Sequence, residues 1–242
     1  MRWGLMGGTF NPVHFGHLRA AEEMRENMQL DRITFIPSAA PPHKTLDSSP
    51  TSLDRLKMLR LAIAGGPFAE VSDIELKRVG YSYTIDTLRQ LINSTQDTEM
   101  FFIIGLDAFL EIDTWKSFKE VFRLTSFIVL TRPGVSSNMS SPDRAGGCVH
   151  AQADELGQFL TNRVSPHYQY DNNKGCYLHP DLNCVFFRSV TPFDISSSRI
   201  RSLVRQGKSI RYLVPEAVES YIMVNKFYRG KNETNVQHEE KE

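Results

Sequence analysis

Two histidines three residues apart, His14 and His17, follow a Gly-Gly pair, a Thr-Phe pair and a proline in GLMGGTFNPVHFGHLRAAEE, residues 4 to 23. Residues three apart on a helix share a face, so both rings can project from a helix start towards one ligand. The start of a helix gathers unbonded N–H groups and the positive end of its dipole, a combination that suits an anion. Gly7 and Gly8 carry no Cβ and let backbone approach a ligand closely, and Pro12 stiffens the loop while giving up one donor. These residue types point to a phosphate held by N–H groups and imidazoles. Two histidines so spaced could also begin a zinc site, which would need further ligands. Neither G-x-x-x-x-G-K-[ST] nor G-x-G-x-x-G is present, so the usual phosphate-loop and dinucleotide signatures do not apply.

Other segments offer partners for such a loop. ISSSRIR (195–201) reads as a second anion site, because Ser196, Ser197 and Ser198 present hydroxyls and N–H groups at a helix start and Arg199 follows. A plain N-cap accounts for only one of those serines. PPHK (41–44) sets His43 and Lys44 after a strand, where Lys44 is either a phosphate contact or a solvated surface charge. Arg132 ends SFIVLTR, a position from which a guanidinium can grip a phosphate. Asp107 follows FFIIG at a strand end, placed for a ribose hydroxyl or for a helix N-cap. Trp115 stands in the polar stretch DTWKS, which favours a stacking surface over a core position, and Tyr83 and Thr84 open the helix in GYSYTIDTL. Asp54, Glu75 and Asp86 could be drawn on as magnesium ligands. None is assigned, since magnesium in phosphate sites is held mainly by the phosphates and water.

Elements must position these residues. RWGLM, RITFIP, AEVSDI, MFFIIG, SFIVLTRPG and CVFFRS read as strands, rich in Ile, Phe and Val between turn residues. HLRAAEEMRENM, SLDRLKMLRLAIAG, SYTIDTLRQLIN and SFKEVFRL carry apolar residues at helical spacing, with Ser52 a candidate N-cap and Gly65 a stop. The alternation requires crossover connections, hence an α/β fold of Rossmann-like kind: a doubly wound, mostly parallel sheet with helices on both faces. The Gly-Gly turn then falls beyond the carboxyl end of the first strand, where open α/β sheets bind ligands. Residues 134–183 break the pattern, dense in Gly, Ser, Asn and Pro, and read as a partly mobile insertion with a short helix at AQADELGQFL. After it, ISSSRIRSLVRQG is a capped helix and Pro215 opens another. Residues 1–230 thus form one domain, and the charged tail 231–242 is expected to be disordered.

Composition bounds the partners. Lys plus Arg equals Asp plus Glu, 28 of each in 242 residues, so no broad basic surface invites nucleic acid or an anionic membrane. Three irregularly spaced cysteines build neither a disulfide framework nor a Cys-rich zinc site. With no signal peptide and no long apolar run, the cytoplasm is the expected compartment.

The string GGTFNPVHFGH contains H-x-G-H and resembles the H-x-G-H nucleotidyltransferase superfamily. GYSYTIDTL, IIGLDAFLEIDTWKSFKEV, LTRPG and ISSSRIR, in that order, are similar to segments of the nicotinate-nucleotide adenylyltransferase family. The resemblance covers 1–134 and about 184–228. It implies that ATP and nicotinate mononucleotide are joined into nicotinate adenine dinucleotide with loss of pyrophosphate, Mg²⁺ arriving mainly on the ATP phosphates. His14 and His17 would then be catalytic, facing the triphosphate together with Gly7, Gly8, Thr9, Phe10, Asp107, Ser196, Ser197, Ser198 and Arg199. The mononucleotide would contact Lys44, Tyr83, Thr84, Trp115 and Arg132. Nicotinamide-nucleotide and phosphopantetheine adenylyltransferases are the nearest alternatives, less favoured because the ATP loop they share requires neither GYSYTIDTL nor DTWKS. A class I aminoacyl-tRNA synthetase would need a K-M-S-K-S-like loop, and a non-catalytic nucleotide sensor would predict loss of a histidine.

Overall fold

In the computed structural model, residues 1–39, 50–95, 97–131 and 145–229 are described, with backbone alone for 145–151. The chain runs β1 (Arg2–Gly8), α1 (Phe15–Asn27), β2 (Arg32–Pro37), α2 (Ser52–Ala62), β3 (Ala69–Val71), α3 (Thr84–Asn93), β4 (Glu99–Gly105) and α4 (Leu106–Phe109). It continues through α5 (Phe118–Leu124), β5 (Ser126–Thr131), α6 (Ala145–Phe159), β6 (Gln169–Asp171), β7 (Cys176–Leu178), β8 (Val185–Ser189), α7 (Ser197–Arg205) and α8 (Glu216–Val224).

The strands form one sheet in the order β3-β2-β1-β4-β5-β8-β7-β6. Pairing is parallel from β3 to β8 and antiparallel in the β6–β7–β8 end. Side chains alternate across β4: Phe101 and Ile103 join the core beneath α1, α2, α7 and α8, while Phe102 and Ile104 join the core beneath α3 and α5. Both faces are therefore covered, as the alternation of elements requires. From β1 the chain steps outward to β2 and β3, then returns to the other side of β1 as β4. That reversal opens a crevice beyond the carboxyl ends of β1 and β4.

Two expectations need correction. Thr51, not Ser52, caps α2: its Oγ1 accepts from the Asp54 N–H at 3.2 Å, and Asp54 Oδ2 accepts from the Thr51 N–H at 2.9 Å, a reciprocal capping box. The larger correction concerns 134–183. Over its described part this segment is woven into the domain. α6 starts at Ala145, earlier than AQADELGQFL suggests, and leads into a π-helical turn to Val164. Leu156, Leu160, Val164 and Tyr168 are buried with Phe109, Phe122 and Phe127. YDNNKGC is the tip of the β6–β7 hairpin: Asp171 Oδ1 accepts from the N–H groups of Asn173 and Lys174 at 2.8 and 3.0 Å, and Gly175 takes φ +63. Its Gly and Asn are turn residues joining two paired strands rather than a linker. Lys44, Arg132, residues 134–144 and the tail 231–242 lie outside the described residues.

Candidate active site

β1 ends in the centre of the sheet, and the chain turns through residues 9–14 to enter α1. His14 is the N-cap of α1 and His17 its third residue. Their rings stack, with centroids 3.7 Å apart and planes 28° from parallel. The His14 backbone N–H donates to His17 Nδ1 at 3.3 Å. A ring nitrogen that accepts carries no proton, so this bond favours the tautomer of His17 protonated on Nε2. Gly16 makes the stack possible, since a Cβ there would lie 3.1 Å from His14 Nδ1 and 3.2 Å from His14 Cε1. The residue types in H-x-G-H thus follow from two rings packed across one turn. Phe10, buried and at φ +46, sets its ring edge-on to His17 at 5.1 Å.

Carbonyl oxygens repel phosphate, and three of those in this loop accept from side-chain donors. Arg55 Nη1 donates to Thr9 O at 2.7 Å, Arg201 Nη1 to Asn11 O at 2.7 Å and Ser197 Oγ to Pro12 O at 2.8 Å. Tyr228 Oη donates to Asn11 Oδ1 at 2.6 Å. The start of α7 lies beside the start of α1, with Ile195 O 3.8 Å from where a Gly16 Cβ would stand.

The serine-rich helix start is engaged within the chain. Ser196 is the N-cap, its Oγ accepting from the Arg199 N–H at 3.2 Å. Ser197 holds Pro12, and Ser198 Oγ accepts from Arg201 Nη2 at 3.2 Å. Arg199 pairs with Asp194 Oδ2 at 2.8 Å, leaving Arg201 as the arginine of this helix that reaches the loop. Ser197 and Arg201 are one turn apart and share a face, a signal present in the sequence but not weighed there.

A second recess of about 250 Å³ opens on the far side of β1, lined by Gly7, Gly8, Tyr83, Thr84, Phe102 and Trp115 among others. Tyr83 is the N-cap of α3 and its side chain bonds none of the helix's first N–H groups, so the positive end of α3 borders the recess. Half-buried Trp115 stands nearly perpendicular to Phe102, at 84° and 6.1 Å. Lys116, a lining residue, places Nζ 4.7 Å over the Tyr83 ring and 2.9 Å from Asp86 Oδ2. Deeper in the wall, Thr87 Oγ1 donates to Glu75 Oε1 at 2.9 Å and accepts from Arg78 Nη2 at 2.9 Å. Burial pushes the Glu75 carboxyl up from its ordinary value, opposed by hydrogen bonds from Thr87 and Ser82 and by the charge of Arg78. Asp107 is exposed in the first turn of α4, next to the lining residue Ala108, and Gly105 rather than Asp107 is the N-cap of that helix.

The structure therefore brings together Gly7, Gly8, Thr9, Phe10, His14 and His17, sets the start of α7 beside them, and gathers Tyr83, Thr84 and Trp115 around the recess. Arg55, Arg201, Tyr228, Lys116 and the Glu75–Thr87–Arg78 chain are additions that sequence reasoning missed. Among the described residues no group of three His, Cys, Asp or Glu side chains could hold a metal ion, and no helix is long and apolar enough to cross a membrane.

A family profile described as cytidylyltransferase-like matches residues 5–203. A protein of Geotalea daltonii named "Probable nicotinate-nucleotide adenylyltransferase" is 43% identical over 228 residues, covering 94% of this chain and 98% of that one. One of the same name from Syntrophotalea carbinolica is 41% identical over 230 residues, covering 95% and 98%. Among solved structures, the nicotinic acid mononucleotide adenylyltransferase of Plasmodium falciparum, complexed with NaAD, superposes with a TM-score of 0.66 over 94% of this chain and 97% of that one. At 14% identity this last likeness speaks for the fold.

Proposed function

We propose how a chain that belongs to the nicotinate-nucleotide adenylyltransferase family divides its chemistry between the His14–His17 loop and the Trp115 recess. The reaction joins ATP and nicotinate mononucleotide: a phosphate oxygen of the mononucleotide forms a bond to the α-phosphorus of ATP, the bond from that phosphorus to the bridging oxygen breaks, and pyrophosphate leaves. No covalent enzyme intermediate is needed. The work is to hold two anions in line and to meet negative charge as it grows.

On this reading the triphosphate lies along Gly7, Gly8, Thr9 and Phe10 at the start of α1. His17 donates from Nε2 to the α-phosphate or its leaving oxygen, and His14, stacked against it, fixes the ring and adds a second donor. Ser196, Ser197, Ser198 and Arg199 border the same phosphates from α7, and Asp107 accepts from a ribose hydroxyl. The pyridine ring of the mononucleotide stacks on Trp115, its carboxylate at the positive start of α3 by Tyr83 and Thr84, with Lys116 beside it. Lys44 and Arg132 take its phosphate. Mg²⁺ would enter mainly on the ATP phosphates and water, and no role of a side chain above depends on it. The compartment is the cytoplasm.

The observation that carries this reading is the pair of stacked histidines over Gly16, at a helix start where the sheet reverses its winding order. Pyrophosphate release on mixing the protein with ATP and nicotinate mononucleotide tests it directly. Replacing His17 by Ala should lower kcat by about 10²–10³, as loss of a charge-stabilising donor does, with little change in ATP affinity. A variant within threefold or so of wild type would remove His17 from the reaction.

A further inference from the structure

Arg55 is 1% exposed and is the largest fully buried side chain among the described residues. It sits in the first turns of α2, on the face shared with buried Met58 and Leu59. Nη1 donates to Thr9 O at 2.7 Å, and Nη2 to Ser38 O at 2.7 Å and Ala39 O at 3.4 Å. Those carbonyls follow the carboxyl ends of β1 and β2, so one guanidinium clamps two ligand-side loops from behind.

Among the described residues it lacks a counter-charge. Among the described residues no carboxylate pairs with Arg55, and its Nε has no hydrogen-bond partner. The adjacent Asp54 is turned away, accepting from Thr51 Oγ1 at 2.7 Å and Tyr221 Oη at 2.9 Å. Arg201, on the other flank of the loop, likewise rests on a backbone carbonyl and a serine rather than on an acid. Burying a cation without an opposite charge is unfavourable, and carbonyl dipoles repay only part of it. Burial also pulls the guanidinium down from its ordinary value.

We propose that Arg55 is a positioning residue whose missing counter-charge is the triphosphate of the nucleotide: it holds the Thr9 and Ser38 carbonyls back from the ligand, and its own charge is balanced only when phosphates lie on the Gly7–Thr9 loop. This rests on the reading of that loop as the ATP site. A merely structural arginine would serve every ligand of the site alike. A charge-balancing one discriminates by phosphate.

The test compares ATP with adenosine, which keeps the base and ribose and lacks the phosphates, by calorimetry on the full chain as wild type, Arg55→Gln and Arg55→Lys. The Gln variant keeps two donors for the carbonyls and loses the charge. It should lower the ratio of ATP to adenosine affinity by roughly 30-fold, the effect of one unit charge at about 8 Å and an effective dielectric of about 20. The Lys variant keeps the charge and should hold the ratio within about threefold, even if both affinities fall. Inorganic triphosphate should raise the Tm of wild type and leave that of Arg55→Gln unmoved. Equal weakening of ATP and adenosine in the Gln variant, or no change in either, overturns the proposal. Should the Gln chain fail to fold, a folded Lys variant that loses the ATP preference overturns it too. Wild type that binds no ATP would instead overturn the reading of the loop, so the two failures are distinct.

Discussion

Thr87→Val isolates the polar chain behind the recess. Thr87 is 2% exposed, and valine fills the same volume, so no cavity forms and only the hydroxyl is lost. That hydroxyl donates to Glu75 Oε1 and accepts from Arg78 Nη2, each at 2.9 Å. Glu75 is itself buried, so loss of this donor costs about 1–3 kcal/mol even with the Ser82 hydrogen bond kept. Arg78 is half-buried and recovers part of its loss from solvent, which brings the total to roughly 2–4 kcal/mol. In a chain of this size each kcal/mol moves Tm by about 2–4 °C, so circular dichroism should show a fall of about 4–16 °C. The same chain of bonds anchors the first turn of α3, so the KM for nicotinate mononucleotide should rise about tenfold while that for ATP stays, an effect of about 1.4 kcal/mol. Thr87→Ser, which keeps the hydroxyl, should recover most of both losses. A valine variant that melts within about 2 °C of wild type, or whose two KM values rise together, refutes the reasoning.

Glu75→Gln should show a pH signature. An acid raised by burial contributes stability below its unfolded value of 4.5 and loses it as pH rises through the folded value, so the Gln chain should gain Tm relative to wild type as pH rises above 4.5; a constant difference would contradict the burial cause. Gly16→Ala sets a methyl 3.1 Å from the His14 ring, and should reduce kcat by about 10–10² with the fold retained; undiminished turnover would show that the ring stack is dispensable. Nicotinate mononucleotide should surpass nicotinamide mononucleotide in kcat/KM by about 10⁴, because a carboxamide turns a donor towards the N–H groups at the start of α3; near-equal values would refute the placement of the carboxylate there.

Most of the parallel strands were legible because buried parallel strands are apolar runs, and β1, β2, β4 and β5 are such runs between turn residues. The His-x-Gly-His turn was legible for the same local reason: its residue types dictate their own geometry. The hairpin around Gly175 was not, since a short strand pair flanked by Asn, Lys and Gly is indistinguishable by composition from a linker until its partner β8 is known. The three serines show a different limit. Their type announces hydrogen bonding, yet whether Ser197 binds a ligand or Pro12 O depends on a contact 185 residues away in sequence. Arg55 was not legible: among Leu56, Lys57 and Arg60 it passes for a solvated charge, although its spacing to Met58 and Leu59 puts it on the buried stripe.

The bonds that hold residues 11 and 12 in place come from the far end of the chain, with Arg201 190 and Tyr228 217 positions downstream of Asn11. During synthesis the loop leaves the ribosome among the first segments, and at about 5–20 residues per second its clamps follow roughly 10–40 s later. Until then the Asn11 and Pro12 carbonyls lack the donors that draw them back. A nascent chain, or a protein truncated before α7, therefore carries every residue of the His-x-Gly-His turn without the donors that hold the Asn11 and Pro12 carbonyls. On the reading of this loop as the ATP site, the chain holds nucleotide there only once α7 has been made and docked.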